Sequence, residues 1–331
     1  MFKRIVNIPF LIYISLSLNF GVLMNKLTGF ISILFAATLW GLDGVALTPN
    51  LYNLSVPFVV FILHLLPFII MQPFLYGNYK SLKSMTGKDF ISLFLISLLG
   101  GSLGTIFIVK SLFLVNFNHL SIVVLLQKLQ PVFAILLSAI ILKERLSKNF
   151  YILSSIAIVS GYFLTFGLEI PSFSESKNLI EASIYAMGAA TCFGSSTVFG
   201  KHIVDRFDFK FVSFFRFGLT ALIMLFINIF FYSFPTFSEI TLKNWYYISA
   251  IVLTTGTTAL FFYYFGLKRV KASVASIAEL AFPLSAVIFD YFINGKSLTV
   301  FRVISMAVMI VSIILIGKLK PLSSRAIEER T

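Results

Sequence analysis

Residues 127–147 read QKLQPVFAILLSAIILKERLS, and residues 279–299, a constant 152 positions later, read ELAFPLSAVIFDYFINGKSLT. Each belongs to an apolar stretch long enough to cross hydrocarbon, about 119–142 and 272–293, with its proline near the middle of that stretch. A proline inside a helix removes a donor and deprives the carbonyl four residues earlier of its hydrogen bond. Those carbonyls belong to Gln127 and Glu279, so at both places a polar side chain coincides with a freed backbone acceptor. The same shift aligns Gly104 with Gly256, Thr105 with Thr257, Phe113 with Phe265, Ser121 with Ser273, Pro131 with Pro283, Ala134 with Ala286, Leu146 with Leu298 and Ser160 with Ser312. In the first span of each half the shift is 153, which lays AATLWG at 36–41 on AATCFG at 189–194.

Composition fixes the solvent. Of 331 residues, 58% are hydrophobic and 12% charged, about half the charge of a soluble domain. An ordinary soluble enzyme is excluded, and the apolar residues suffice for roughly ten membrane helices. Apolar runs between polar punctuation place them at about 27–48, 54–76, 90–115, 119–142, 149–168, 182–201, 210–233, 245–267, 272–293 and 298–317. The expected fold class is therefore all-α integral membrane, with ten transmembrane helices as two inverted five-helix repeats: five is odd, so the second copy enters from the opposite face. Residues 27–168 form the first repeat, 182–317 the second and 318–331 a tail.

The net charge of +13 reads as placement in a bilayer, with no nucleic-acid partner implied. Lys26, Lys80, Lys83, Lys88, Lys143, Arg145, Lys148, Lys201, Arg206, Lys210, Lys268, Arg269, Lys271, Lys318 and the remaining terminal cations fall on one side. Only Lys177, Lys243, Lys296 and Arg302 fall on the other. By the positive-inside rule both termini are cytoplasmic in a multi-pass protein of the cell (inner) membrane. Heavy use of Phe, Ile, Lys and Asn suggests a low-GC genome and so a prokaryotic cell. Residues 1–26 read as an amino-terminal extension with three readings side by side: an interfacial or signal-like segment, an eleventh helix, or upstream sequence with translation beginning at Met24. The last is preferred, because Met24-Asn25-Lys26 directly precedes an apolar run.

LQPVFAILLSAIILKERLS at 129–147 and AATLWGLDGV at 36–45 together resemble the two EamA-type domains of the drug/metabolite transporter superfamily, over essentially residues 27–317. The resemblance implies a ten-helix secondary transporter of small metabolites, commonly exporting amino acids or related compounds, with a central cavity between the halves. The sequence departs from that pattern at Lys296, where the second repeat usually carries an acidic residue matching Glu144, and at His64, which stands opposite Arg216.

Ionisable groups inside a membrane are costly, so each is a site candidate. Asp43, His64, Lys128, Arg216 and Glu279 are the candidates at depth, with Gln127 beside them. Trp40, Tyr263 and Tyr264 are placed at the cavity because their polar tips need company when buried. Lys110 near one end and Asp290 near the outer end of its span read as interfacial. At 100° per residue Lys128 and Gln130 lie ~160° apart, so only one faces a narrow pocket; Lys128 with Gln127 is the expectation, since an ammonium facing lipid costs more than an amide. Pro131 and Pro283 are the hinges. Glu279 then either pairs with Lys128 or binds a substrate amine, which favours a zwitterion such as an amino acid. Small-residue runs such as Gly100-Gly101-Ser102-Leu103-Gly104 read as helix packing and leave a homodimer open.

The function expected is alternating-access transport of a small polar metabolite, an amino acid or related compound, in the export direction, with membrane lipids as the other partner and no cofactor, metal or catalytic residue. A passive channel or lipid scramblase is the alternative. An intramembrane enzyme is disfavoured: no HExxH or GxxxxGK[ST] motif is present, and His64, His119 and His202 are scattered. The lone Cys192 can form neither an intrachain disulfide nor a thiolate metal site. In a Cys192→Ala background, cysteines placed at Ser81 and Ser323 should be shielded from impermeant thiol reagents in intact cells while one at Ser174 labels. Labelling at Ser323 from outside would overturn the ten-helix topology.

Overall fold

The computed structural model describes residues 7–114, 126–168, 177–232, 234–235 and 239–319. The start of the expected fourth span, with His119 and Ser121, and the tail from residue 320 lie outside the described residues, as do the side chains before Met24. The described chain is all helical. α1 (Asn7–Leu42) runs without a turn from the amino-terminal extension through the first span and continues as a π turn, Asp43–Leu47, and a 3-10 turn, Thr48–Leu51. α2 is Val56–Leu75. α3 (Gly87–Leu95) and α4 (Gly104–Leu114) are joined by a π segment, Ile96–Leu103. α5 is Gln130–Ile141, α6 Lys148–Phe166, α7 Lys177–Arg206 and α8 Phe209–Phe231. α9 (Leu242–Ile251) and α10 (Thr257–Leu267) are joined by the π segment Val252–Gly256. α11 (Ala272–Ala278) and α12 (Ala281–Asn294) flank a turn at Glu279–Leu280, and α13 is Val300–Lys318.

Among the described residues eight helical stretches are long and apolar enough to cross a membrane. α5 is a shorter apolar helix, and α7, though 30 residues long, is rich in small and polar residues. Side-chain caps define the ends. Thr86 with Asp89 and Thr241 with Asn244 form capping boxes at α3 and α9. Ser147, Asp208 and Thr299 accept from backbone N–H groups at the starts of α6, α8 and α13.

Two sets of polar contacts tie the helix ends into two opposite ends of the bundle. At one end the Arg206 guanidinium meets buried Asp89 at 2.8 Å, Lys268 donates to the Phe207 carbonyl, Arg269 to Asn25 and Lys271 to the Arg145 carbonyl. Glu144 reaches across from the loop after α5 and accepts from the Ala272 and Ser273 N–H groups and the Ser273 hydroxyl. At the other end Asn244 bonds Asn53 and the Asn50 carbonyl, and Arg302 donates to the Thr165 carbonyl. Lys296 pairs at 2.9 Å with Asp290 near the end of the preceding helix, α12, so it does not play the part that Glu144 plays in the first half.

Between these ends, α1 packs on α10 and α12, α7 packs on α4 and α5, α2 packs on α8, and α6 packs on α13. Two glycines at repeat-related positions allow close helix approaches. A Cβ on Gly41 of α1 would lie 2.9 Å from both the Phe282 carbonyl oxygen and the Ala286 nitrogen of α12. A Cβ on Gly194 of α7 would lie 2.8 Å from the Gln130 carbonyl oxygen and 3.0 Å from the Ala134 nitrogen of α5. In each case backbone meets backbone, which cannot yield as a flexible side chain would. Gly41→Val and Gly194→Val should each lower stability by about 1–3 kcal/mol, with similar size at the two sites, in thermal unfolding of the detergent-purified chain. A neutral result at both would show that α1 and α7 do not depend on these approaches.

Candidate functional site

Both proline-containing spans are interrupted beside their prolines. Lys128 and Leu129 form a turn before α5, and Glu279 and Leu280 form the matching turn before α12. At each break the hydrogen bonds shorten from four residues to three. The Leu129 N–H donates to the Leu126 carbonyl and Val132 to Leu129, while Leu280 donates to Ile277 and Phe282 to Glu279. The expectation that the Glu279 carbonyl stands free is therefore corrected: it accepts from the Phe282 N–H at 2.9 Å.

The Glu279 side chain is the centre of a cluster drawn from four helices. Its Oε1 accepts from the Tyr263 hydroxyl of α10 at 2.9 Å and the Thr197 hydroxyl of α7 at 3.2 Å. Its Oε2 accepts from Gln130 Nε2, the first residue of α5, at 2.7 Å. The Thr197 and Tyr263 hydroxyl oxygens lie 3.0 Å apart, and the Trp40 ring of α1 lies 5.4 Å from the Tyr263 ring. No cation among the described residues pairs with Glu279.

The expected pairing with Lys128 is thus not formed. Lys128 turns toward α6, where its ammonium donates to the Thr165 hydroxyl and, at 3.3 Å, to the Gly161 carbonyl. Gln130, set aside on helical rotation, is the side chain that meets Glu279. Both, with Gln127 and Glu279, line a cavity of about 690 Å³ between α5, α6, α12 and α13, whose rim carries Asp290, Lys296 and Arg302. Pro131 and Pro283 line it as well.

The remaining candidates continue the polar line across the bundle. The Tyr264 ring lies 5.3 Å from that of Tyr263, and its hydroxyl accepts from the Arg216 guanidinium of α8 at 3.0 Å. Arg216 lies within electrostatic reach of both Glu279 and His64. His64 packs beside Phe217 and donates from Nδ1 to the Val60 carbonyl of its own helix. Asp43, in the π turn after α1, stands near Thr48 and Thr255, and its Oδ1 is buried without a hydrogen-bond partner. Thr197 and Thr165 were missed by sequence reasoning; hydroxyls in apolar helices carry no pattern that separates a site from routine bonding to the preceding turn. No three His, Cys, Asp or Glu side chains converge as a metal site among the described residues.

A bundle of apolar helices in which two interrupted helices present polar side chains to a shared cavity is the architecture of a membrane transporter, not an enzyme. The chain belongs to the EamA-like transporter family, which matches residues 27–167 and again 181–318. It is 48% identical over 297 residues to the riboflavin transporter ImpX of Fusobacterium nucleatum subsp. nucleatum, covering 89% of this chain and 99% of that protein. A solved crystal structure is similar over 89% of this chain and 97% of its own, with a TM-score of 0.67 and 16% identity, a likeness in fold alone.

If Glu279 and Lys128 are separately satisfied, their replacement should cost independently. Glu279→Gln and Lys128→Met should give unfolding free-energy changes that add within about 0.5 kcal/mol in the double variant. A double variant clearly more stable than the sum of the single changes would restore a direct ion pair.

Proposed function

We propose that this chain is a ten-pass secondary transporter, built as two inverted five-helix repeats, that carries riboflavin or a close flavin analogue across the cell membrane by alternating access. The repeat reading is supported by the matching of the family to each half and by the packing: the pair α1 with α10 and α12 has its counterpart in α7 with α4 and α5, while α2–α8 and α6–α13 are self-paired. The π segments at 96–103 and 252–256, and the glycines Gly41 and Gly194, fall at repeat-related positions. The basic end, which gathers Lys26, Arg145, Lys201, Arg206 and Arg269, is the cytoplasmic one on this reading, with both termini there.

The observation that carries the substrate reading is the chemistry around Glu279. Lys128 lines the same cavity but turns to Thr165, and the Glu279 carboxylate is taken up by neutral donors, a tyrosine, a threonine and a glutamine amide, with Trp40 behind the tyrosine. Neutral hydrogen-bonding groups at the carboxylate suit an uncharged ligand with an edge of carbonyl and N–H groups and a hydroxylated chain, which describes a flavin. The cavity volume lies within the ~300–1,000 Å³ that encloses ligands of that size. The name of the 48%-identical relative supports the same choice over an amino acid. Pro131 and Pro283 serve as the hinges, since each half-helix can rock on a turn that already lacks regular helical bonding.

Proteoliposomes should take up riboflavin saturably, with counterflow when loaded with the unlabelled compound; a channel would show neither. Loading on either side reads the direction. Glu279→Gln keeps the shape and removes the charge from three donors, so folded protein with flux reduced at least about tenfold is expected. Wild-type flux by that variant at every pH would reduce Glu279 to a structural role, and amino acids competing where riboflavin does not would overturn the flavin reading.

A further inference from the structure

The transport site leaves unexplained a second cavity of about 340 Å³ at the basic end, where the middle of α1, the loop after α5, the α10–α11 connection and the end of α13 meet. Lys26, Arg145, Lys201, Arg269 and Lys271 line it, and among the described residues no carboxylate does. Its floor is apolar, with Phe30, Phe150 and Val274.

Lys201 is already paired with an acid, the other four like charges around the opening repel one another, and the remaining nearby acids are committed elsewhere. Asp205 pairs with Lys201 at 2.6 Å, Asp208 accepts from the Lys210 N–H at the start of α8, and Glu144 accepts from the first residues of α11. The remaining cations are positioned by neutral acceptors, which fix them without cancelling their charge. Arg269 lies 3.4 Å over the Phe265 ring and donates to Asn25 and the Phe265 carbonyl, and Lys271 donates to the Arg145 carbonyl. Burial pushes the Arg269 guanidinium down from its usual value, with the Asp208 charge acting the other way, so the group stands partly desolvated and lacks a full counter-charge.

We infer that this cavity binds a phosphate-bearing anion, held by Arg269 and Lys271 with Lys26 and Arg145 at the rim. Guanidinium and ammonium groups converging on one point match a phosphate's oxygens, and basic pockets between membrane helices accept phospholipid headgroups in this way. The apolar floor would receive the first carbons of an acyl chain; a soluble phosphate uses the cations alone. Both sources share the chemistry, and the site is independent of what the transport cavity carries.

The test uses the full chain, delipidated in neutral detergent at constant ionic strength. Its thermal midpoint is followed during titration with inorganic phosphate against chloride, and separately with phosphatidylglycerol against phosphatidylcholine. A rise with phosphate assigns a soluble anion; a rise with phosphatidylglycerol alone assigns the lipid headgroup. Arg269→Gln with Lys271→Gln should weaken the effective response about tenfold or more, whereas Lys80→Gln with Lys83→Gln, at the same end but outside the cavity, should leave it unchanged. Arg145→Gln, on an exposed loop, gives the same readout should the double variant fail to fold, with a severalfold loss expected. No response to either anion, or equal losses in the cavity and control variants, would overturn the proposal.

Discussion

In hydrocarbon a backbone carbonyl without a donor costs several kcal/mol, so a proline in the middle of a membrane helix obliges the chain to find another donor or break the helix. Here the helix breaks at both prolines, and at the second the freed Glu279 carbonyl finds a new donor in the Phe282 N–H. The turns at Lys128–Leu129 and Glu279–Leu280 replace four-residue with three-residue hydrogen bonds, and the half-helices α5 and α12 start afresh beyond them. Such half-helices need close support, because a break leaves backbone polar groups near lipid. Gly41 and Gly194 supply it by letting α1 and α7 approach to backbone contact just beyond each break. The prolines and glycines are therefore one device: the first interrupts the helix, and the second seals the interruption.

That device also makes the site. A turn in place of a helical segment re-aims the side chains on either side of it, and the polar ones at the breaks, Gln130 and Glu279, point at each other across the interface between the half-helices. The carboxylate then draws in Tyr263 and Thr197 from two further helices, so one charge is spread over four elements. The frame is symmetric, but its chemistry is not. Gln127 stands where the other half has Glu279, and His64, bonded to its own helix, stands where Arg216 reaches across to Tyr264. An asymmetric ligand needs such a difference, and a duplicated unit can acquire it only by divergence of individual side chains.

The two ends of the bundle follow the same rule of like frame and unlike charge. The capping-box residues Asp89 and Asn244 each reach beyond their own helix to the loop that closes a first span, Asp89 to Arg206 and Asn244 to Asn53. The charged version lies at the basic end and the neutral version at the other. Glu144 and Lys296 differ likewise: Glu144 caps α11 across the basic end, while Lys296 stays with Asp290.

Sequence alone determined where the apolar helices run, where they break and which positions correspond between halves, because hydropathy, proline chemistry and repeat register are properties of the chain itself. It placed Glu279 and Gln127 beside the prolines, and Trp40, Tyr263 and Tyr264 at a cavity on the need of a buried polar tip for company; that Trp40 meets Tyr263 came from the fold. The choice between Lys128 and Gln130 lay beyond it. The argument from 100° per residue holds only for an unbroken helix, and the turn at 128–129 resets the rotation, sending Lys128 to Thr165 and Gln130 to Glu279. Thr197 was equally invisible, since a hydroxyl's role depends on what a neighbouring helix presents to it. Pairings across helices arise from packing distances between segments far apart in sequence, such as the 149 residues between Gln130 and Glu279, and only the folded bundle sets those.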